Sequence, residues 1–270
     1  MTTHRHRQRQ GFKLIELIVV IVLFVILVGL LIPTPGHVRV SAERAEMTDK
    51  LRQLVIACHN AHDSYKKFPP SWGFYPSIEP APNIPAQAKQ RSLHFHILPY
   101  IEGARLYNAS NTNAAFPPYT VSLDPTTVDG TDGAGRGVTS FLCNTHCFPA
   151  GPSYARMPDS FASGTSNVVF FVSATAKGRT DDGTSWHYWG GDPDQTKGVA
   201  HFLGNQRLPP LPLTDKIGPY QRGAQLTPGG FQVVMGDAST RTVHPHISAF
   251  VWQAVTNPAN TEPVPNDWNQ

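Results

Sequence analysis

One apolar run, residues 14–32, constrains this 270-residue chain more than any other feature of its sequence. Every residue in the run is apolar or glycine except Glu16, and Pro33 ends it. A helix over residues 12–32 would be roughly 31 Å long at about 1.5 Å per residue, close to the ~30 Å hydrocarbon core of a bilayer. Because a water-soluble helix is not apolar on all faces, the run predicts a transmembrane helix over residues 12–32.

The segment before this run, residues 1–11, is a basic leader. It contains Arg5, Arg7 and Arg9 and no acidic residue. Positive charge on one flank predicts that the leader stays in the cytoplasm and that the C-terminal part is exported across the inner (cytoplasmic) membrane. An ordinary secretory signal would have a shorter apolar region and a small-residue cleavage site after it, which residues 33–36 match poorly. Hydropathy alone is therefore also compatible with a plain signal anchor.

Glu16 stands out because a lone carboxylate inside a bilayer costs several kcal/mol unless it finds a partner. Its default interpretation is therefore functional. The residues around it, Gly11-Phe12-Lys13-Leu14-Ile15-Glu16-Leu17, resemble the processing motif of type IV pilins and secretion pseudopilins, Gly-Phe-Thr-Leu-Ile-Glu-Leu. Lys13 departs from the threonine or serine that is usual in that motif.

The resemblance implies a set of roles for this N-terminal region. A prepilin peptidase would cut after Gly11, and the same enzyme would methylate the new N-terminus at Phe12. Glu16 would pair with the N-terminal amine of a neighbouring subunit, which is either another copy of this chain or another pilin-like protein. Two opposite charges buried together would offset a desolvation cost that neither could bear alone. Pro33 would kink the helix.

Residues 33–65 predict an amphipathic continuation of the helix. Apolar residues recur at intervals of three, four or seven, which places them on one helical face. They are Val40, Met47, Leu51, Leu54, Cys58, Ala61 and Tyr65. In pilin-like folds an antiparallel β-sheet covers such a stripe. The resemblance therefore implies an α+β fold in which a long N-terminal helix packs on an antiparallel sheet with long loops.

Residues 66–270 are expected to form an exported globular domain rich in strands and loops, since proline and glycine are frequent and charged residues make up only 15% of the chain. Residues 168–172, 231–235 and 240–243 are predicted strands, and residues 236–239 join the last two as a hairpin. Residues 93–101 suit either a helix or a strand. The segments richest in turn-forming residues predict long loops over residues 73–90, 108–137 and 177–228.

Several blocks recur in a fixed order along the chain, among them residues 58–65, 68–70, 98–102, 141–143 and 164–167. In this order they resemble a pilin-like family of unknown function, sometimes labelled a protein-export or family 10 extracellular solute-binding domain. Its C-terminal signature is histidine, nine residues, then Asp-Gly. Here Thr227 replaces the signature histidine, and Ala238 replaces the glycine after Asp237. A role that needed the histidine is lost, which favours the interpretation that Thr227, Gly229, Gly230 and Asp237 shape turns.

Three cysteines do not make a disulfide framework. Cys143 and Cys147 could close a small disulfide loop in an oxidising compartment, could stay unpaired, or could bind zinc with a further ligand. His59 and His62 lie three residues apart and could chelate a metal from one helical face. The alternative favoured by their position is hydrogen bonding to the loop at the end of the helix. No metal or other cofactor is expected.

Two further histidine groups have alternative interpretations. His94 and His96 alternate in an apolar segment and would share one side of a strand, which favours packing. His187 lies among Trp186, Tyr188 and Trp189, an aromatic group that could stack on a sugar but is better explained as a small loop core.

The function expected from these features is structural. A net charge of +3, much of it in the leader, gives no sign of nucleic-acid binding, and no catalytic motif is present. The resemblance implies a non-enzymatic pseudopilin-like subunit of a type II secretion or type IV pilus-like assembly, with the peptidase, pilin-like subunits and the membrane as partners. The alternative is a membrane-tethered ligand- or glycan-binding module that uses the pilin export route.

Overall fold

The structure is a computed structural model that describes residues 13–31, 35–80, 83, 89–180, 183–190, 201–202, 226–227, 229–244 and 246–264. The chain divides into two compact units, Met1–Ala42 and Glu43–Gln270. Each unit is described by itself.

The first unit contains helix α1, Leu14–Leu31, in which all the described side chains are exposed. The expected helix over residues 12–32 extends beyond both ends of α1, and Phe12 and Ile32 lie outside the described residues. With 18 residues, α1 is roughly 27 Å long at about 1.5 Å per residue, short of a ~30 Å hydrocarbon core. In the described part of the chain, no helix is both long and apolar enough to cross a membrane.

Helix α2 spans Pro35–Tyr65, and its residues from Glu43 onward belong to the second unit. Most of the apolar stripe is buried there, at Met47, Leu51, Leu54, Cys58 and Ala61. The helix ends at Tyr65, as the sequence pattern predicts, but Tyr65 itself is 45% exposed and does not belong to the core.

The second unit is built around a five-stranded sheet with the order β7–β3–β4–β8–β9. Its strands are β3 Phe141–Asn144, β4 Val169–Ser173, β7 His201–Phe202, β8 Phe231–Met235 and β9 Thr240–Val243. Neighbours from β3 to β9 are antiparallel, and the edge strand β7 is parallel to β3. Two small antiparallel pairs accompany the sheet: β1 Trp72–Gly73 with β2 Arg91–Ser92, and β5 Lys177–Thr180 with β6 Gly183–Trp186.

The described residues of this unit also form three further α-helices: α3 Leu93–Ile97, α4 Ala104–Asn108 and α5 Ala249–Thr256. Successive side chains of a strand point to opposite faces, so the sheet has two cores. Phe171 and Val234 belong to the core that holds the α2 stripe. Val172 and Val233 belong to the second core, together with Trp252 of α5. The fold is therefore α+β, with antiparallel strands covered by helices.

Several expectations need correction. The predicted strands over residues 231–235 and 240–243 are confirmed, whereas the strand predicted at 168–172 begins and ends one residue later. Residues 93–101 are helical, as α3 followed by a 3-10 turn at Leu98–Tyr100. The predicted loop 177–228 is wrong in part, because it contains β5, β6 and β7.

Candidate functional site

The N-terminal processing residues cannot be placed, since Gly11, Phe12 and Pro33 lie outside the described residues. Glu16 is described, and its carboxylate accepts a hydrogen bond from the backbone N–H of Lys13, with 3.2 Å between Oε2 and N. The Glu16 N–H in turn donates to the Lys13 carbonyl at 2.9 Å. This is the glutamate half of a capping box, in which a carboxylate satisfies a donor that the first turn leaves free. Glu16 therefore stabilises the start of α1 within its own chain.

The signature residues near β8 form tight turns. The Thr227 hydroxyl donates to the Gly230 carbonyl, and the Gly230 N–H donates back to the Thr227 carbonyl at 3.2 Å. Gly230 has φ +126°, and a Cβ there would lie 2.3 Å from the Val243 carbonyl oxygen. Gly230 is therefore required by both conformation and space. Gly229 is less constrained: a Cβ there would lie 3.3 Å from the Arg44 guanidinium.

Asp237 lies in the turn between β8 and β9, where the predicted turn role is confirmed. Its Oδ1 accepts from the Ser239 N–H at 2.9 Å, and Ser239 O closes the hairpin by accepting from the Met235 N–H at 2.8 Å. Ala238, which replaces the signature glycine, has φ +65°. L-residues rarely adopt this conformation, whereas glycine adopts it without strain. This explains why the family signature has a glycine at the position of Ala238.

The possible disulfide between Cys143 and Cys147 is not formed, because both residues are buried free thiols, as is Cys58. The Cys147 sulfur contacts the Val169 carbonyl of β4 at 3.5 Å and the Asn144 side-chain amide at 3.3 Å. It is thus held against β4 instead of being bonded to Cys143. Burial raises the pKa of all three thiols, so in the folded state they are neutral and weakly nucleophilic.

His59 and His62 contact backbone groups. His59 Nε2 donates to the Gly236 carbonyl at 2.7 Å, and His62 Nε2 accepts from the Met157 N–H at 3.3 Å. These contacts fasten the C-terminal end of α2 to the β8–β9 turn and to a loop. Among the described residues, no group of three or more His, Cys, Asp or Glu side chains is arranged to hold a metal ion.

The aromatic group around His187 belongs to the interior. His187 and Trp189 are almost completely buried, and Trp189 Nε1 donates to the Ala114 carbonyl at 3.0 Å. A buried ring cannot stack on a sugar. The burial of His187 and Trp189 supports the interpretation of this group as a small core, while Trp186 is only partly buried.

The structure brings together a second aromatic group that the sequence pattern does not reveal. A cavity of about 210 Å³, here called the tyrosine cavity, lies beside the end of α2. It is lined by Tyr65, Tyr75, Pro76, His96, Pro99, Tyr100, Ala104, Tyr107 and Asn108. These residues come from the end of α2, the segment after β1, α3, the 3-10 turn and α4, so distant parts of the sequence meet at one place.

The tyrosine walls of the cavity are fixed by direct contacts. The rings of Tyr65 and Tyr75 meet edge to face at 5.4 Å. The Tyr75 hydroxyl lies 2.9 Å from the Ala61 carbonyl and 3.0 Å from the Lys67 carbonyl, which holds the ring against the end of α2. Burial raises the pKa of Tyr65, and the neighbouring Tyr100 hydroxyl acts in the same direction. Burial also raises the pKa of Tyr75, so the phenols of Tyr65 and Tyr75 are neutral at physiological pH.

His96 is one of the polar residues that line the tyrosine cavity, and it is only 2% exposed. Its Nε2 lies 2.9 Å from the Gly73 carbonyl, so Nε2 carries the proton, since a carbonyl only accepts. Burial lowers the pKa of His96 to about 4, although the nearby carbonyls of Gly73 and Arg91 oppose the shift. The ring is thus neutral at pH 7, and Nδ1 is a buried acceptor without a hydrogen-bond partner among the described residues.

A larger cavity of about 550 Å³ lies beside α2, where Glu46 and Lys50 line it. Three of its charged residues, Lys50, Glu46 and Asp124, make contacts within the protein. Lys50 Nζ contacts Glu46 Oε1 at 2.6 Å and the Thr120 carbonyl at 2.7 Å, and Asp124 Oδ2 accepts from the Ser140 hydroxyl at 2.7 Å. These contacts connect α2 to the loop that follows α4, so the arrangement is structural.

Comparison with known proteins gives one match. The family model described as SBP_bac_10, protein of unknown function (DUF1559), matches residues 37–207, which is more than half of the chain. Searches among curated proteins and among solved structures found no significant match. The matched segment contains most of α2, the tyrosine cavity and the strands β3 and β4. The chain therefore belongs to the SBP_bac_10 (DUF1559) family.

Proposed function

We propose that this chain is a non-enzymatic, pilin-like structural subunit that a prepilin peptidase matures. Residues 12–32 would anchor it in the inner membrane, with the N-terminus cytoplasmic and the second unit exported. The described helix α1 falls short of a full span, so the proposal assigns the flanking residues 12, 13 and 32 to the span as well. The observation that carries the proposal is the exposure of apolar side chains on every side of α1.

Large apolar residues of α1 are exposed on consecutive positions, between 40% and 77% of each residue from Leu14 to Val28 apart from Glu16. Burying one such side chain is worth roughly 1.5–3 kcal/mol, so together they represent tens of kcal/mol in water. Soluble monomers rarely expose an apolar surface of this kind. Lipid and the helices of neighbouring subunits would both cover it, as a pilin-like role requires.

Glu16 supports the assembly part of the proposal. It is the one ionisable residue of α1, and its hydrogen bond to the Lys13 N–H uses only Oε2. An amine created at Phe12 of a neighbouring subunit would add a charge-assisted hydrogen bond to the same carboxylate. Cleavage after Gly11 is what would create that amine, so processing and assembly are chemically linked.

The second unit supports the pilin-like part of the proposal. The α2 stripe shares one core with an antiparallel sheet, which is the arrangement implied by the sequence resemblance. The chain would then use its helix for anchoring and assembly and expose its loops outside the membrane.

Processing is tested by the intact mass of the protein extracted from cells with an active prepilin peptidase. The expected species begins at Phe12 and carries one additional methyl group. Gly11→Val should leave the leader attached, because a branched side chain at the scissile bond crowds the peptidase. Ala45→Val, an exposed position on α2, is the control and should mature normally. A wild-type protein that retains residues 5–10 would refute the proposal.

A second function, ligand binding by a membrane-tethered module, is favoured by the tyrosine cavity in the second unit. The two functions are separable by experiment. A pure filament subunit would show no selective small-molecule binding, whereas a tethered binding module would show no contacts between α1 helices.

A further inference from the structure

We infer that the outer edge of strand β9 is a docking site for an extended peptide strand of another protein, one that places an acidic side chain opposite Arg241. The partner adds a strand to the five-stranded sheet and pairs with β9 through main-chain hydrogen bonds. This inference goes beyond the proposed structural role and does not depend on it, because cleavage after Gly11 and assembly through α1 do not involve β9.

The position of β9 leaves one of its sides unpaired. The strand lies at one end of the sheet, and β8 is its neighbour on the inner side. The Met235 N–H donates to the Ser239 carbonyl at 2.8 Å, which fixes where the ladder between β8 and β9 begins. Since hydrogen-bonded and non-hydrogen-bonded pairs alternate along an antiparallel ladder, Arg241 also bonds to β8. Thr240 and Thr242 are the alternate residues, so their N–H and C=O groups point away from β8.

The outward backbone groups of Thr240 and Thr242 are available to a partner. Both residues are partly exposed, and no hydrogen-bond partner for these backbone groups lies among the described residues. Their side chains hold the strand in place instead. The Thr242 hydroxyl bonds to the Gln232 amide at 3.0 and 3.1 Å, and the Thr240 hydroxyl accepts from Arg52 at 3.3 Å. Because each residue has one donor and one acceptor, the edge is a template for an added strand.

Pairing of β9 with β9 of a second copy is unfavourable. A symmetric dimer would pair the two edges antiparallel. If Thr240 pairs with Thr242 of the other copy, the two Arg241 side chains lie directly opposite each other and repel. If Thr242 pairs with Thr242, each Thr240 needs the His244 carbonyl, which already accepts a hydrogen bond in its own turn. If Thr240 pairs with Thr240, each Thr242 needs the Ala238 N–H, which already donates within the β8–β9 turn.

The charges beside the edge select the partner strand. Arg241 lies on the same face of the sheet as Val243, a residue of the second core. In an added antiparallel strand, the residue opposite Arg241 belongs to a non-hydrogen-bonded pair, whose Cα atoms are only about 4.5 Å apart. On the other face, the Arg52 guanidinium lies beside the edge at Thr240. Opposite charges across a ladder stabilise it and like charges destabilise it, so the edge favours an acidic strand over a basic one.

The direct test is NMR on the full chain with isotope-labelled threonine, in a zwitterionic detergent. The probe is the end-capped peptide Thr-Val-Thr-Glu-Thr-Val-Thr, and the matched probe has lysine in place of glutamate. The glutamate peptide should shift the Thr240 and Thr242 amide signals in a saturable way and bind at least threefold more tightly than the lysine peptide. No shift, or equal binding of the two peptides, would overturn the inference. Shifts that depend on protein concentration without any peptide would overturn it too, since they would show pairing with a second copy.

Variants test whether the main chain and the charge hold the peptide. Thr242→Pro removes an outward N–H at an edge position where proline is tolerated, so the peptide should bind at least tenfold more weakly. Thr242→Val is the matched control, because it loses only the hydroxyl contact with Gln232, and should stay within twofold of wild type. Arg241→Glu should reverse the preference and bind the lysine peptide more tightly. Equal weakening in the two Thr242 variants, or an unchanged preference in Arg241→Glu folded by circular dichroism, would contradict pairing at this edge.

Discussion

Phe68→Ala is expected to melt about 6–20 °C below the wild-type protein. Phe68 is completely buried and lies at the centre of an aromatic cluster. Its ring centroid is 5.6 Å from Phe161, 5.7 Å from Phe170 and 5.8 Å from Phe148, each in an edge-to-face arrangement. Removing such a ring costs roughly 3–5 kcal/mol, because the burial is lost and a cavity remains.

Thermal unfolding of the full chain in detergent, followed by near-ultraviolet circular dichroism, measures this effect. Ile56→Ala is the matched control, since Ile56 is an apolar residue of the same unit but is 51% exposed. Its melting temperature should change by no more than about 2 °C, as expected for a surface substitution in a domain of this size. Equal shifts in the two variants would contradict the packing described around Phe68.

Glu16→Leu is expected to reduce oligomers in the membrane at least tenfold. Under the proposed function, each Glu16 carboxylate pairs with the amine at Phe12 of a neighbour. Removing one member leaves the other charge unpaired in the assembled state, which costs roughly 3–5 kcal/mol for a buried pair. The isolated chain, in contrast, loses an unfavourable charge from its apolar helix. The measurement is the ladder of cross-linked species at equal expression.

Glu16→Gln separates assembly from helix capping. Glutamine keeps an oxygen that can accept from the Lys13 N–H, so it preserves the observed cap, but it has no charge for a neighbour's amine. The ion-pair account predicts that glutamine fails almost as completely as leucine. A full ladder with Glu16→Gln would show that Glu16 acts only as the cap of its own helix.

Periodic patterns predicted the parts of the fold that depend on one helix or one hairpin. The α2 stripe is buried because intervals of three and four residues keep Leu51, Leu54 and Cys58 on one face. The β8–β9 hairpin was predictable because Asp237 favours a turn between two strand-forming segments. Both signals are local, so no knowledge of distant contacts was needed.

The alternation of His94 and His96 is typical of a strand, but both residues lie in the short helix α3. A short helix can bury every side chain, so such a pattern does not distinguish it from a strand. All five residues of α3 are buried, so its sequence carries no helical polar face. The available signal was Ser92, whose side chain accepts from the Phe95 N–H as an N-cap. Capping chemistry was a better guide there than periodicity.

The strands β5 and β6 and the tyrosine cavity escaped prediction for a different reason. Each of the two strands contains a glycine and few apolar residues, so no alternation marks them. The cavity joins Tyr65, Tyr75, Tyr100 and Tyr107 from separate segments. Such a site exists only after the chain folds, because no local pattern records which distant side chains will meet.

The most direct test of the central claim places a photo-cross-linking amino acid at Phe24 of α1 and identifies the partners in native membranes by mass spectrometry. Phe24 is 65% exposed, and Ile78 of the second unit, 59% exposed, serves as the control position. The account predicts that the Phe24 probe captures the N-terminal helix of another copy or of another pilin-like subunit, and that the Ile78 probe does not. A chain recovered outside the membrane fraction, with no protein cross-linked to Phe24, would contradict the account.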